Sequence, residues 1–140
     1  MKPYIVQKIM TDTGDTITIQ PEIKKTPISE TTSEVMTWIM VNAVEKGESK
    51  WTKVEGLRVA GKTGTAQIPV AGHYDPNKTN ASFVGFYPAD DPKISMLIII
   101  NKPQSSIYGS ETAAPVFFNI TRELFKYPTD VLKTTSGISP

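Results

Sequence analysis

Leu57-Arg58-Val59-Ala60-Gly61-Lys62-Thr63-Gly64-Thr65-Ala66-Gln67 is the stretch on which the reading of this chain turns. Residues 57–60 have the character of an extended segment and run directly into the glycine-punctuated part. The letters from Gly56 to Thr63 also satisfy the phosphate-loop pattern G-x-x-x-x-G-K-[ST], whose backbone amides would cradle a nucleotide. Such a loop follows a strand and opens a helix, whereas Leu57-Arg58-Val59-Ala60 is itself strand-like, and Gly64, Pro69 and Gly72 oppose a helix after it. The apolar strand that should end in a magnesium-binding aspartate is missing too, because residues 94–100 run into Asn101-Lys102. The stretch is therefore read as strand. Its side chains alternate, so Lys62 and Gly64 face one way and Thr63 and Thr65 the other.

Upstream, Tyr4-Ile5-Val6-Gln7-Lys8-Ile9, the turn signal Asp12-Thr13-Gly14-Asp15 and the alternating Thr16-Ile17-Thr18-Ile19 predict a hairpin. Residues 21–27 form a linker, after which Val35, Ile39, Met40, Ala43 and Val44 recur at helical spacing. With Thr31 and Glu34 as a capping box and Gly47 as a stop, a helix is expected over about residues 31–46, followed by a polar loop to Glu55. Downstream, residues 68–79 hold Pro69, Gly72, Asp75, Pro76 and Asn77 and predict a long exposed loop of the kind that borders a site. Residues 81–87 predict a second strand, 88–92 a turn, and 94–100 a third strand buried on both faces. Strands joined in succession by short turns imply an antiparallel sheet. Residues 111–127 predict a closing helix through Val116, Phe117, Ile120, Leu124 and Phe125, with Pro115 in its first turn. Trp38, Phe117, Phe118 and Phe125 are assigned to core packing. The expected architecture is α/β of the α+β type, an antiparallel sheet with a packed C-terminal helix over residues 1–127 and a disordered tail over 128–140.

Composition narrows function by exclusion. The chain of 140 residues carries 15 basic and 14 acidic side chains, so its charge implies neither a nucleic-acid partner nor an anionic membrane surface. Cysteine is absent, which removes disulfides, thiolate metal sites and a cysteine nucleophile. The longest strongly apolar run, residues 96–100, is too short to span a bilayer, and Met1-Lys2-Pro3-Tyr4 does not begin a signal peptide. His73, the single histidine, sits in the predicted polar loop and is read as solvated, and no metal or cofactor is called for.

Against this background, Lys62-Thr63-Gly64-Thr65 matches the Lys-Thr-Gly element of serine β-lactamases and penicillin-binding proteins. Val59 to Gln67 resembles that family's strand almost letter for letter, and more follows in order. Ala81-Ser82-Phe83-Val84-Gly85-Phe86 with Pro88 and Asp91-Pro92 is similar to the next strand and turn. Pro103, Tyr108-Gly109 and Ala113-Ala114-Pro115-Val116-Phe117 resemble the lead-in to the C-terminal helix. Pro3-Tyr4-Ile5-Val6, Ile28-Ser29 and Thr32 fit the segment preceding the strand in class B transpeptidases. The resemblance covers residues 1 to about 126 and is to the C-terminal half of a class B transpeptidase domain, a partial β-lactamase/transpeptidase-like fold.

That resemblance implies roles. Lys62, Thr63, Gly64 and Thr65 would be catalytic, with the Lys62 ammonium facing the nucleophile's proton network. Thr63, Thr65, Ala66 and Gln67 would bind substrate, the two threonine hydroxyls receiving its terminal carboxylate. The backbone N–H of Thr65 would be one donor of the oxyanion hole, an interaction worth about 3–4 kcal/mol in the transition state. Gly64 would leave room for backbone approach, and an edge strand would offer free N–H and C=O groups to an extended peptide or to a β-lactam that mimics it. The parent would be an extracytoplasmic D,D-transpeptidase of peptidoglycan cross-linking, in division or shape, working through an acyl-enzyme on stem peptides and inhibited by β-lactams. The departures are equally specific: no Ser-x-x-Lys and no Ser-x-Asn occurs in the sequence. The nucleophile is expected from an N-terminal half of the domain, the sequence being a fragment or truncated reading frame that is inactive alone and carries no export signal. The alternatives are a stand-alone, non-catalytic β-lactam- or peptide-binding module, and a fragment of a β-lactamase or D,D-carboxypeptidase.

Overall fold

The computed structural model describes residues 1–50 and 54–126. The expected tail after Pro128 lies outside those residues, as does part of the polar loop after Gly47. The chain divides into two compact units, Met1–Glu34 and the residues from Val35 onward. In the first, β1 (Lys8–Met10) pairs antiparallel with β2 (Thr16–Thr18), so the predicted hairpin is present with shorter strands. The turn is closed by Gly14 N–H donating to the Thr11 carbonyl at 2.9 Å and by Thr11 N–H donating to the Asp15 carbonyl at 2.9 Å.

Helix α1 spans Glu30–Lys46. Its cap is Ser29 rather than the expected Thr31–Glu34 box, the Ser29 hydroxyl accepting from Thr32 N–H at 3.2 Å. Gly47 ends the helix as expected, its N–H donating to the Ala43 carbonyl at 3.1 Å. The buried side matches the expected one only in part, at Val44 and at the partly buried Met40. Val41 and Val44 are in the core, whereas Val35, Ile39 and Trp38, the last 63% exposed, are not. Apolar residues occur around much of this helix, so spacing alone does not single out the face that packs.

The remaining strands form one antiparallel sheet in the order β3-β4-β5. They are β3 (Ala60–Val70), β4 (His73–Tyr87) and β5 (Ile94–Asn101). Most of the region expected as a loop over 68–79 is therefore a hairpin arm, with Val70 facing His73 across the two-residue turn Ala71-Gly72. Both turn residues take positive φ, 46° and 88°, the geometry that suits strand twist and that glycine adopts without strain. Between Gln67 and Ile68 the register slips, so that Gln67 faces Thr79 but Ile68 faces Asp75. Pro76, Asn77 and Lys78 are accommodated in the slip. The slip is tied by the Asp75 carboxylate, which accepts from Asn77 N–H at 2.9 Å and pairs with the Lys78 ammonium at 3.0 Å. These contacts, the Asn77 N–H first, hold the Asp75 carboxyl below the usual carboxylate range.

Strand β5 alternates in burial instead of being covered on both faces. Met96, Ile98 and Ile100 pack on the core, while Leu97 and Ile99 are exposed. Helix α2 (Ala113–Lys126), two residues shorter at its start than predicted, lays Phe117 and Phe118 against Phe83 of β4. Val44, Val59, Ala113 and Ala114 complete this core. Phe125 packs edge-on against Tyr87 with ring centroids 4.6 Å apart. Among the described residues, no helix is long and apolar enough to cross a membrane.

Candidate functional site

The register fixes which face each residue of the Lys-Thr-Gly-Thr strand presents. Thr63 stands opposite Phe83, which packs against α2, and Thr65 opposite Ala81, and both partners are wholly buried. Lys62 stands opposite Val84 and Gly64 opposite Ser82, on the other face, where Val84, Leu97 and Ile99 are left uncovered. The alternation expected from sequence therefore holds across the motif. Within this sheet β3 is an edge strand. No helix opens after Lys62, which removes the context a phosphate loop needs.

Lys62 is exposed, and its ammonium donates to the Thr63 carbonyl at 3.0 Å and to the Thr63 hydroxyl at 3.2 Å. The Thr63 hydroxyl in turn donates to a Glu48 carboxylate oxygen at 3.4 Å. A hydroxyl has a single proton, so in this arrangement Thr63 has none left to give a ligand. Thr65 is placed differently. Its Oγ accepts from Gly109 N–H at 3.2 Å, which occupies a lone pair and leaves the hydroxyl proton available. Of the two threonines expected to bind a carboxylate, Thr65 is thus the one poised to donate.

Gly64 contributes by absence: a Cβ there would come within 2.5 Å of the Ser82 hydroxyl oxygen. Beyond Thr65, an open cleft of about 530 Å³ is lined by Thr65, Gln67, Tyr74, Thr79, Ile107 and Tyr108. Ala66 also borders it, so the residues assigned to substrate from Thr65 to Gln67 share one concavity. His73 opens β4 and is exposed, and it is not among the residues that line this cleft, although its neighbour Tyr74 is. Sequence reasoning missed Glu48, Thr79 and the role of Gly109. Tyr108-Gly109 stood out only as part of a family match, and nothing local links position 109 to position 65.

Comparison with known proteins agrees with this geometry. The family model described as penicillin binding protein transpeptidase domain matches residues 1–122. Stage V sporulation protein D of Bacillus subtilis is 40% identical over 124 residues, which is 86% of this chain and 19% of that protein. Peptidoglycan D,D-transpeptidase FtsI of Buchnera aphidicola is 44% identical over 75 residues, 52% of this chain and 13% of that protein. The chain thus spans less than a fifth of the length of either relative. Among solved structures, the transpeptidase domain of FtsI4 from Legionella pneumophila is 34% identical with a TM-score of 0.59, over 69% of this chain and 36% of that one. Penicillin binding protein 3 from Mycobacterium tuberculosis, solved with ampicillin, is 25% identical with a TM-score of 0.75, over 86% of this chain and 29% of that one. Sequence, strand register and fold together assign the chain to the transpeptidase domain family of penicillin-binding proteins.

Proposed function

We propose that this chain supplies the β3 wall of the active-site cleft in an extracytoplasmic class B D,D-transpeptidase that cross-links peptidoglycan, and that the nucleophilic serine lies outside this sequence. The observation that carries the reading is the split of the motif across an edge strand, with Lys62 on the uncovered face and Thr65 beside the cleft with a free hydroxyl proton. On this reading residues 1–127 belong to one transpeptidase domain that a second, serine-bearing segment completes. The serine attacks the carbonyl of the stem peptide's terminal peptide bond, the terminal residue leaves as an amine, and a second stem's amine then releases the acyl group. Lys62 moves or stabilises protons in the serine's network. The Thr65 backbone N–H stabilises the oxyanion, while its hydroxyl donates to the terminal carboxylate. A β-lactam follows the first half of this path and stops at the acyl-enzyme.

The test is the second-order acylation constant for a penicillin and for its neutral ester, in the longer protein that unites this segment with a Ser-x-x-Lys element. Lys62→Ala is expected to slow acylation by both ligands by orders of magnitude, with ground-state binding less affected. Thr65→Val keeps the backbone N–H but deletes a charge-assisted hydrogen bond worth about 1.5–3 kcal/mol, so the penicillin should lose about 10- to 150-fold more than the ester. Wild-type rates in Lys62→Ala, or equal losses for the two ligands in Thr65→Val, would overturn the assignment.

A further inference from the structure

The Thr65 hydroxyl is held by a backbone group that comes from 44 residues downstream, and the segment presenting that group is unusually well tied. The carbonyls of three consecutive residues, 107, 108 and 109, each accept a hydrogen bond. Thr79, 1% exposed, donates its hydroxyl to the Ile107 carbonyl at 2.6 Å. Thr112 donates its hydroxyl to the Tyr108 carbonyl at 2.7 Å, and Ala114 N–H donates to the Gly109 carbonyl at 2.9 Å. Gly109 itself lies flat against the β3-β4 backbone. A Cβ there would fall 2.3 Å from the Ser82 carbonyl oxygen and 2.5 Å from that of Gly64, so only glycine lets this N–H reach Thr65.

Resting on the function proposed above, we propose that Gly109 is a positioning residue for Thr65, and that Thr79 is the buried pin holding Gly109 in place. The Gly109 N–H takes the acceptor side of the Thr65 hydroxyl, and the hydroxyl proton is thereby turned toward the cleft and the carboxylate that enters it. Without that N–H the hydroxyl is a free rotor that must be ordered anew at each binding event. Thr79 stands opposite Gln67, two residues along β4 from Ala81, the partner of Thr65, so pin and hydroxyl share one face of the sheet. Loss of the Thr79 hydroxyl leaves the Ile107 carbonyl without its side-chain donor and loosens the segment that carries Gly109.

The experiment uses the serine-containing protein and reads the penicillin-to-ester ratio of acylation constants. Thr79→Val is expected to lower the ratio of the penicillin constant to the ester constant about threefold, the cost of ordering one of three staggered hydroxyl orientations, whatever it does to both constants in common. Thr79→Ser restores the hydroxyl and should restore the ratio. Gly109→Ala should lower the ratio in the same direction but by less than Thr65→Val, which removes the hydroxyl altogether; if that variant does not fold, Thr79→Val carries the test. The double variant Thr65→Val/Thr79→Val should have the ratio of Thr65→Val alone, because the pin acts only through that hydroxyl. Equal losses for both ligands in Thr79→Val, or multiplicative ratios in the double variant, overturn the positioning role while leaving the proposed function standing. A wild-type protein that no penicillin acylates, or Thr65→Val losing both ligands equally, sinks the function and this inference together.

Discussion

Gly61, the residue before the motif lysine, should not tolerate even a methyl group, and the reason lies in one aromatic ring. A Cβ at position 61 would sit 2.5 Å from Phe83 Cζ, 2.8 Å from Phe83 Cε1 and 3.0 Å from the Val84 carbonyl oxygen. The ring has nowhere to go, since Phe83 is wholly buried with its centroid 4.8 Å from that of Phe117 and 5.8 Å from that of Phe118. Overpacking of this kind costs about 1–3 kcal/mol, offset by about 0.5–1 kcal/mol from replacing a strand glycine with alanine. Gly61→Ala should therefore destabilise the chain by about 1–2 kcal/mol. Phe83→Leu removes the ring edge that clashes and, by loss of packing, should cost about 1–3 kcal/mol alone. In the double variant the new methyl occupies space the ring has vacated, so the combined cost should fall at least about 1 kcal/mol short of the sum. Urea unfolding followed by far-ultraviolet circular dichroism gives the three values, provided the slope is common to all. Additivity within about 0.5 kcal/mol, or a neutral Gly61→Ala, would refute the close packing of β3 on Phe83.

Three other outcomes are expected. The 140-residue chain alone should take up no fluorescent penicillin, because it contains no Ser-x-x-Lys; a hydroxylamine-sensitive label on it would contradict this. Thr121 is wholly buried in α2, and among the described residues its hydroxyl has no hydrogen-bond partner. Thr121→Val should therefore raise stability by about 1 kcal/mol in the same urea assay, and a loss of that size would show that the hydroxyl is satisfied. Asp75 is held below its ordinary carboxylate value, so its contribution to the arm is complete above that value and is lost as pH falls through the lowered one. The Asn77 amide resonance should report that titration and lose it in Asp75→Asn, whereas a midpoint at the ordinary value would disprove the contact.

What the sequence discloses and what it hides follow physical lines. The motif strand was legible because alternation is a local property, so the facing of Lys62 against Thr63 and Thr65 needed no partner strand. The apolar run over 94–100 was legible as strand but not as half-exposed, because Leu97 and Ile99 are as apolar as the partly buried Ile98 and Ile100. The arm over 68–79 was misread because Pro69, Gly72 and Pro76 carry strong local signals. A tight turn at Ala71-Gly72 and a register slip satisfy those signals inside a hairpin. Trp38 was misassigned because aromatic residues at helical spacing look alike whether or not anything packs on them. The contact between Gly109 and Thr65 was invisible for a different reason: it is made by a backbone amide, and no side-chain pattern encodes it.

The register slip at Gln67 and Ile68 divides β3 into a part locked opposite residues 79–86 and a projecting part that answers only to its own turn. A length change at Ala71-Gly72 should therefore leave the pairing of residues 60–67 with residues 79–86 unchanged, because the Asp75 carboxylate holds the slip between them. The arm is therefore a grafting point. A peptide tag or a fluorophore placed at its tip should be carried while Lys62 stays opposite Val84.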